Sequence, residues 1–240
     1  MIRKKQKENQ KCVLGLATGS SPIAVYEELV RMHREEGLSF ENVITFNLDE
    51  YYGLEKTHKE SYYYFMHHHL FNHVNIPAEN VNIPSGTVAL EELEQWCDDY
   101  ERKIGAAGGL DFQLLGIGRT GHIGFNEPGS AIDSKTRVVS LAHITKEDAA
   151  DDFEGIENVP ATAVTMGIGT VRSAKRIVLL AWGAKKSKIV KEAIEEEISS
   201  NVPATYLRQH PNTTFVFDEE AASKLSSHHL ENQDLYEPCD

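Results

Sequence analysis

FQLLGIGRTGHIGFNEP, residues 112–128, is the stretch whose reading decides the fold. Its first part, Phe112 to Ile117, is an apolar run that ends in Gly116 and Gly118 and reads as a buried strand. Its second part, Gly121 to Pro128, is a tight glycine-rich turn that carries His122 and Glu127, two groups able to move protons. The turn therefore sits at the carboxyl end of a strand, the edge where open α/β sheets bind ligands. A loop that only packs has little use for a histidine, an amide and a carboxylate so close together. The stretch points to an enzyme.

Outward from it, short apolar runs alternate with amphipathic ones. Candidate strands are Cys12–Ala17, Val43–Asn47, Phe112–Ile117, Val138–Leu141, Ile177–Ala181 and Thr214–Phe217. Between them Leu93, Trp96, Cys97, Tyr100 and Ile104 recur at helical spacing, as do Ile189, Val190, Ala193, Ile194 and Ile198. Ser21 followed by Pro22 predicts an N-cap and first turn for a helix through about Glu36. The alternation predicts an α/β fold, a Rossmann-like parallel sheet with helices on both faces, in a single domain over residues 1–225. Residues 226–240 lose periodicity and read as a polar tail or a truncated linker.

Composition narrows the function classes. The net charge of -13 argues against nucleic acid and against anionic membrane surfaces, both of which call for basic patches. An anionic substrate would have to be held by a local site, because the overall field repels it. Cys12, Cys97 and Cys239 are far apart and in no metal-ligand spacing, which reads as a reduced cytoplasmic protein. No apolar run approaches a membrane span, and Met1 to Lys11 is too polar for a signal peptide.

Leu14 to Pro22 reads as a strand, a small-residue loop and a helix start. Such a loop aims backbone N–H groups and a helix dipole at an anion, and Thr18, Gly19, Ser20 and Ser21 lie in it. It lacks the Gly-Lys-Ser/Thr ending of a nucleotide-phosphate loop, and an ordinary strand-to-helix turn with a capping serine fits it as well. Lys186 stands near the start of a helix expected over Ser187–Ile198, where a cation opposes the macrodipole unless an anion sits there too.

Asp49 and Glu50 follow the second strand and bring adjacent carboxylates to the same sheet edge. In a loop they would point differently, one facing a substrate and the other structural. A carboxylate beside a carbonyl or imine can remove an α-proton. A polar turn with a capping aspartate is the plainer alternative. Gly116 to Gly121 matches the dinucleotide pattern G-x-G-x-x-G, but Gly124, Pro128 and Gly129 follow at once, so no long helix opens there. His67, His68, His69 and His73 suggest a metal, yet only His69 and His73 have helical i,i+4 spacing and no carboxylate partner accompanies them. They read as ordinary helix residues, and no metal site is expected.

Several of these segments together resemble the glucosamine-6-phosphate deaminase (isomerase) family. They are LGLATGSSP at 14–22, VITFNLDEYYGL at 43–54, SYYYFM at 61–66, IPAENVNIPSG at 76–86 and GHIGFNEPGS at 121–130. The resemblance implies conversion of glucosamine 6-phosphate and water to fructose 6-phosphate and ammonia, with no metal or organic cofactor. It implies that Asp49 moves a proton between C2 and C1, that His122 helps to open the pyranose ring, and that Glu127 supports His122. Thr18, Gly19, Ser20 and Lys186 match positions around the substrate phosphate.

The chain also departs from the family pattern. Thr120 stands where an aspartate is usual two residues before the histidine, Asp151 where a phosphate-binding arginine is expected, and the lead-in to the first glycine loop is short. The reading is that Arg119 supplies the missing cation, and that an N-terminal element is absent from a chain cut from a longer one. A homo-oligomer is compatible with the resemblance. Two other readings share the fold: a 6-phosphogluconolactonase-like hydrolase, and a sugar-phosphate-binding protein without turnover.

Overall fold

The computed structural model describes residues 1–231. In chain order the elements are α1 (Ile2–Lys7), β1 (Cys12–Leu16), α2 (Ile23–Glu36), β2 (Val43–Asn47), β3 (Asp49–Tyr51), α3 (Tyr62–His69), β4 (Val81–Asn82) and α4 (Leu93–Ala106). They continue with β5 (Phe112–Leu115), β6 (Arg137–Ser140), α5 (His143–Ala149), β7 (Thr162–Thr165), α6 (Ile168–Arg172), β8 (Ile177–Ala181), α7 (Ser187–Glu195), β9 (Thr213–Phe217), α8 (Glu219–Ala222) and α9 (Ser227–Glu231).

Six strands form one sheet in the order β4-β2-β1-β5-β8-β9, with every pairing parallel. The sequence dictates this arrangement through continuous apolar runs. All five residues of β1 are buried, which requires cover on both faces of the sheet. One face packs Val13, Phe46 and Leu115 against Tyr100 and Ile104 of α4 and Ile189 and Val190 of α7. The other packs Leu14, Leu16 and Val43 against Tyr26 and Val30 of α2 and Met66 of α3.

From β1 the chain first builds outward through β2 to β4, then crosses back to β5 on the other side. The reversal leaves a crevice at the carboxyl ends of β1 and β5, where the backbone must diverge. The loops of residues 17–22 and 116–122 open into this crevice.

The structure corrects the sequence reading in four places. Val138–Leu141 is not part of the parallel sheet: the strand runs over Arg137–Ser140 and joins a second, antiparallel sheet in the order β3-β7-β6. Its side chains alternate between half-buried and exposed, as expected for a sheet with one wet face. Asp49 and Glu50 lie not in a loop but in β3 of that sheet, with Asp49 opposite Thr165. The N-cap position of α2 is Pro22, with no side-chain cap, rather than Ser21. The helix after Lys186 stops at Glu195, which leaves Ile198 outside it and 38% exposed.

No helix among the described residues is long and apolar enough to cross a membrane. Cys12 and Cys97 are buried and free. Within the stretch read as a tail, α9 forms over Ser227–Glu231; residues 232–240, with Cys239, lie outside the described residues.

Candidate active site

The crevice at the carboxyl ends of β1 and β5 holds a pocket of about 200 Å³, small for a drug-sized ligand and suited to a compact metabolite. Thr18 to Ser21, Asp49, Tyr62, His122 and Lys186 all line it. Residues scattered from position 18 to position 186 therefore meet in one place.

On one wall the turn of residues 18–21 runs from β1 into α2. Among the described residues the backbone N–H groups of Thr18, Gly19, Ser20 and Ser21 and the Ser20 hydroxyl have no hydrogen-bond partner, while the Thr18 hydroxyl meets the Tyr62 phenol. Free donors at the start of a fourteen-residue helix form an anion-binding concavity. The turn is braced from outside by Trp182, whose Nε1 donates to the Ser21 carbonyl at 3.0 Å. Lys186, on the next strand's loop, donates from Nζ to the Ile117 carbonyl at 2.8 Å and lines the same pocket. Burial pulls the Lys186 ammonium below its ordinary range, with Asp148 opposing and Arg119 adding to the effect. An incoming anion would offset that desolvation.

Asp49 forms the floor. It is 5% exposed, and its carboxylate accepts no hydrogen bond from the described residues. Burial, and then the neighbouring Glu50, push its carboxyl up to about 8. A side chain at Gly124 would come within 3.1 Å of Asp49 Oδ2 and 3.0 Å of Thr165 Oγ1. Gly124 also has φ +56, in the left-handed region that favours glycine. Its lack of a side chain keeps Asp49 open to the pocket.

The third wall is the turn of residues 118–127. The His122 ring packs against Gly118, where an added Cβ would fall 1.9 Å from Nε2. His122 Nδ1 is 2.8 Å from Thr120 Oγ1 and 3.2 Å from Glu127 Oε2, and Thr120 Oγ1 is 3.1 Å from the same oxygen. An Nδ1–H tautomer fits all three: His122 donates to Thr120 and shares that proton with Glu127, and the Thr120 hydroxyl donates on to Glu127. Nε2 is then the ring nitrogen left with a lone pair, on a side chain that lines the pocket.

The other Glu127 oxygen accepts from Thr145 of α5. Burial alone would raise the Glu127 carboxyl, but the donors His122, Thr145 and Thr120 outweigh it and hold Glu127 below the usual carboxylate range. The amide of this turn has a different job. Asn126 is fully buried, donates to the Ile123 and Met166 carbonyls, and accepts from Arg137, so it fixes the turn rather than facing a ligand.

Of the residues singled out from the sequence, Thr18, Gly19, Ser20, Ser21, Asp49, His122 and Lys186 line the pocket, and Thr120 and Glu127 stand directly behind His122. Arg119 does not join them. Its guanidinium is paired with Glu147 at 3.2 Å and Asp148 at 3.0 Å and bonds the Ile144 carbonyl, so it clasps α5 instead of lining the pocket. The adjacent carboxylates on α5 explain the capture.

Two residues at the site carry no functional assignment from the sequence, where Tyr62 reads with Tyr63, Tyr64 and Phe65 as packing and Thr145 is unmarked. Tyr62, in the first turn of α3, lines the pocket and stacks on Phe125 at 5.9 Å between ring centroids. Thr145 sits eighteen positions beyond Glu127 on another element, and no local pattern marks it. Among the described residues no three His, Cys, Asp or Glu side chains come together as a metal site.

Comparison with known proteins places this geometry in a family. A family profile described as glucosamine-6-phosphate isomerases/6-phosphogluconolactonase matches residues 1–216. A glucosamine-6-phosphate deaminase of Thermoanaerobacter pseudethanolicus is 49% identical over 230 residues, covering 96% of this chain and 90% of the relative. One of Clostridium botulinum is 48% identical over 213 residues, covering 89% and 86%. Among solved structures, a monomeric glucosamine-6-phosphate deaminase superposes with a TM-score of 0.88 at 43% identity, over 93% of this chain and 90% of that one. A 6-phosphogluconolactonase of Thermotoga maritima superposes at 0.68 with 22% identity over 90% and 91%, a likeness of fold alone. The chain belongs to the glucosamine-6-phosphate isomerase/6-phosphogluconolactonase family.

Proposed function

We propose that this protein converts glucosamine 6-phosphate and water to fructose 6-phosphate and ammonia. The observation that carries the reading is the meeting, in one pocket, of a buried carboxylate without donors, an oriented imidazole and a cationic anion cradle. The deaminase relatives at 48–49% identity over most of the chain support it.

In this reading the phosphate lies against the N–H groups of residues 18–21 and Lys186, which anchors the sugar with its reacting carbons over Asp49. His122 Nε2 takes the proton of the anomeric hydroxyl and passes it to the ring oxygen, and the pyranose opens. Thr120 and Glu127 stabilise the charge that develops on the imidazole. Asp49, as carboxylate, then removes the C2 proton to give an enolamine and returns a proton to C1. The resulting C2 iminium is attacked by water, and ammonia leaves.

The ligand class is a small sugar phosphate, with neither nucleic acid nor membrane involved. The free, buried Cys12 and Cys97 fit a cytoplasmic location. Assembly is tested by light scattering of the purified chain, for which the resemblance is compatible with a homo-oligomer. The activity itself is tested by a coupled assay of both products from glucosamine 6-phosphate. Ammonia and fructose 6-phosphate appearing in equal amounts are the expected result. Hydrolysis of 6-phosphogluconolactone without ammonia release would favour the lactonase, and tight sugar-phosphate binding without turnover would favour a binding protein.

A further inference from the structure

The site as described leaves one buried ionisable group unused. Glu50 is 2% exposed and adjacent to Asp49 in β3, yet it does not line the pocket. As alternate residues of a strand, Asp49 and Glu50 project to opposite faces, Asp49 to the pocket and Glu50 beneath α3. There Glu50 accepts from three backbone N–H groups: Oε1 from Tyr51 and Tyr62, and Oε2 from Tyr63, each at 2.9 Å.

Tyr62 and Tyr63 are the first residues of α3, whose cap Ser61 accepts from Tyr64. Glu50 and Ser61 between them take up the donors at this helix start. The anion that the helix terminus attracts is thus supplied by the chain itself, and it belongs to the residue next to the candidate base. The same bonds hold Tyr62, whose ring lines the pocket, at a fixed distance from Asp49.

We propose that Glu50 is a positioning residue for the proton transfer at Asp49: its carboxylate ties the first turn of α3 to the strand that carries the base, and its charge strengthens Asp49 as a proton acceptor. The inference rests on the deaminase reading for the identity of the step, and on the hydrogen bonds of Glu50 for the rest.

The surroundings support the assignment. The other groups that face the pair are the phenols of Tyr26, Tyr51, Tyr62 and Tyr100, with the Asp152 carboxylate beyond Tyr51 and His122 and Lys186 across the pocket. Glu50 is the charged neighbour that acts on Asp49; no cation is paired with either carboxylate among the described residues. A charged carboxylate on the adjacent residue, out of water, raises the proton affinity of Asp49, while Glu50 itself is pushed up to about 7 by burial, against the pull of its three N–H donors. A base that binds its proton more tightly is the better acceptor for a weakly acidic C–H.

The test is Glu50→Gln, which keeps the shape of the side chain and removes its charge. The expected result is an acid limb of kcat/KM displaced to lower pH by about one unit, together with a lower plateau of kcat, the substrate's own ionisation being common to both proteins. An unmoved limb with lower thermal stability would reduce Glu50 to a structural cap and overturn the proposal.

A second measurement needs neither the variant nor turnover: carbon-13 NMR titration of ligand-free wild-type protein, with the Asp49 carboxyl signal assigned by its loss in Asp49→Asn. The expected result is that Asp49 and Glu50 titrate as a coupled pair, each signal inflecting where the other does. Independent single-site curves would overturn the proposal even if ammonia were released. If no ammonia were released but the pair were coupled, the deaminase reading would fail and the electrostatic pairing would stand.

Discussion

The two sides of the pocket handle a buried carboxylate in opposite ways. On the floor, Asp49 accepts no hydrogen bond from the described residues and is pushed up to about 8 by burial and by Glu50. On the wall, Glu127 is half-buried, and His122, Thr145 and Thr120 surround it with donors and hold it below the usual carboxylate range. Asp49 is the deeper of the two and has Glu50 beside it, whereas Glu127 is ringed by donors that outweigh its partial burial. A deeply buried carboxylate without donors is poised to take a proton, while a half-buried one ringed by donors keeps its charge and steadies a neighbour. Donors do not decide alone, because Glu50 accepts three N–H groups and burial still pushes it up to about 7. The chain thus obtains a base and an electrostatic support from one functional group.

The sharpest way to break this contrast is to remove the acceptor. Asp49→Asn is expected to lower kcat by roughly 10²–10⁴-fold while substrate binding, followed by calorimetry, stays close to wild type. Near wild-type turnover in that variant would take Asp49 out of the mechanism. Next in size is the cradle. Lys186→Ala should raise KM by about 10–100-fold with a smaller change in kcat, the loss expected for a charge-assisted contact made in the ground state too.

Gly124→Ala probes the opening above Asp49. With φ +56 and Thr165 Oγ1 only 3.0 Å from the new Cβ, it should lower kcat about tenfold and lower the melting temperature as well. On the other side of the pocket, Thr120→Val removes the hydroxyl between His122 and Glu127 and should cost about 5–30-fold in kcat. Thr120→Ser, which keeps the hydroxyl, should restore most of the loss; failure of serine to do so would show that shape, not the relay, matters.

The smallest expected effect is on stability. The folded-state value of Asp49 lies above its unfolded value, so its contribution is present at low pH and is lost as pH rises from about 4 to about 8. Asparagine does not ionise, so the melting temperature of Asp49→Asn should gain on wild type across that window, by about 3 °C or more at its upper end. A variant less stable than wild type at pH 8 would mean that Asp49 is compensated by a group the pocket does not reveal.

Much of this was legible in the sequence because the signals were local. Continuous apolar runs mark β1, β2, β5, β8 and β9, and only a parallel sheet covered on both faces buries such runs. The turn of residues 118–127 and the loop of residues 17–22 announce themselves by glycine and small polar residues at strand ends. What was hidden depends on contacts made at a distance. The antiparallel sheet consists of strands of three or four residues, too short for an alternation to stand out. Asp49 therefore looked like a loop residue, although the conclusion that it and Glu50 face different ways survives in the strand.

Thr145 reaches Glu127 from another element, and Arg119 is drawn aside by Glu147 and Asp148 on that same helix. No spacing rule encodes either contact. The replacement of an ionisable residue by Thr120 also reads differently in three dimensions: the hydroxyl cannot carry charge, but it lies where it can pass the orientation of Glu127 on to His122.

The contrast between the two carboxylates is tested most directly by carbon-13 NMR titration of the ligand-free protein, following Asp49 and Glu127 in one experiment. The expected result is an inverted order, with Glu127 losing its proton below the ordinary glutamate range and Asp49 near 8. If both titrate in the ordinary carboxylate range, or Asp49 ionises before Glu127, the division of labour between floor and wall is contradicted.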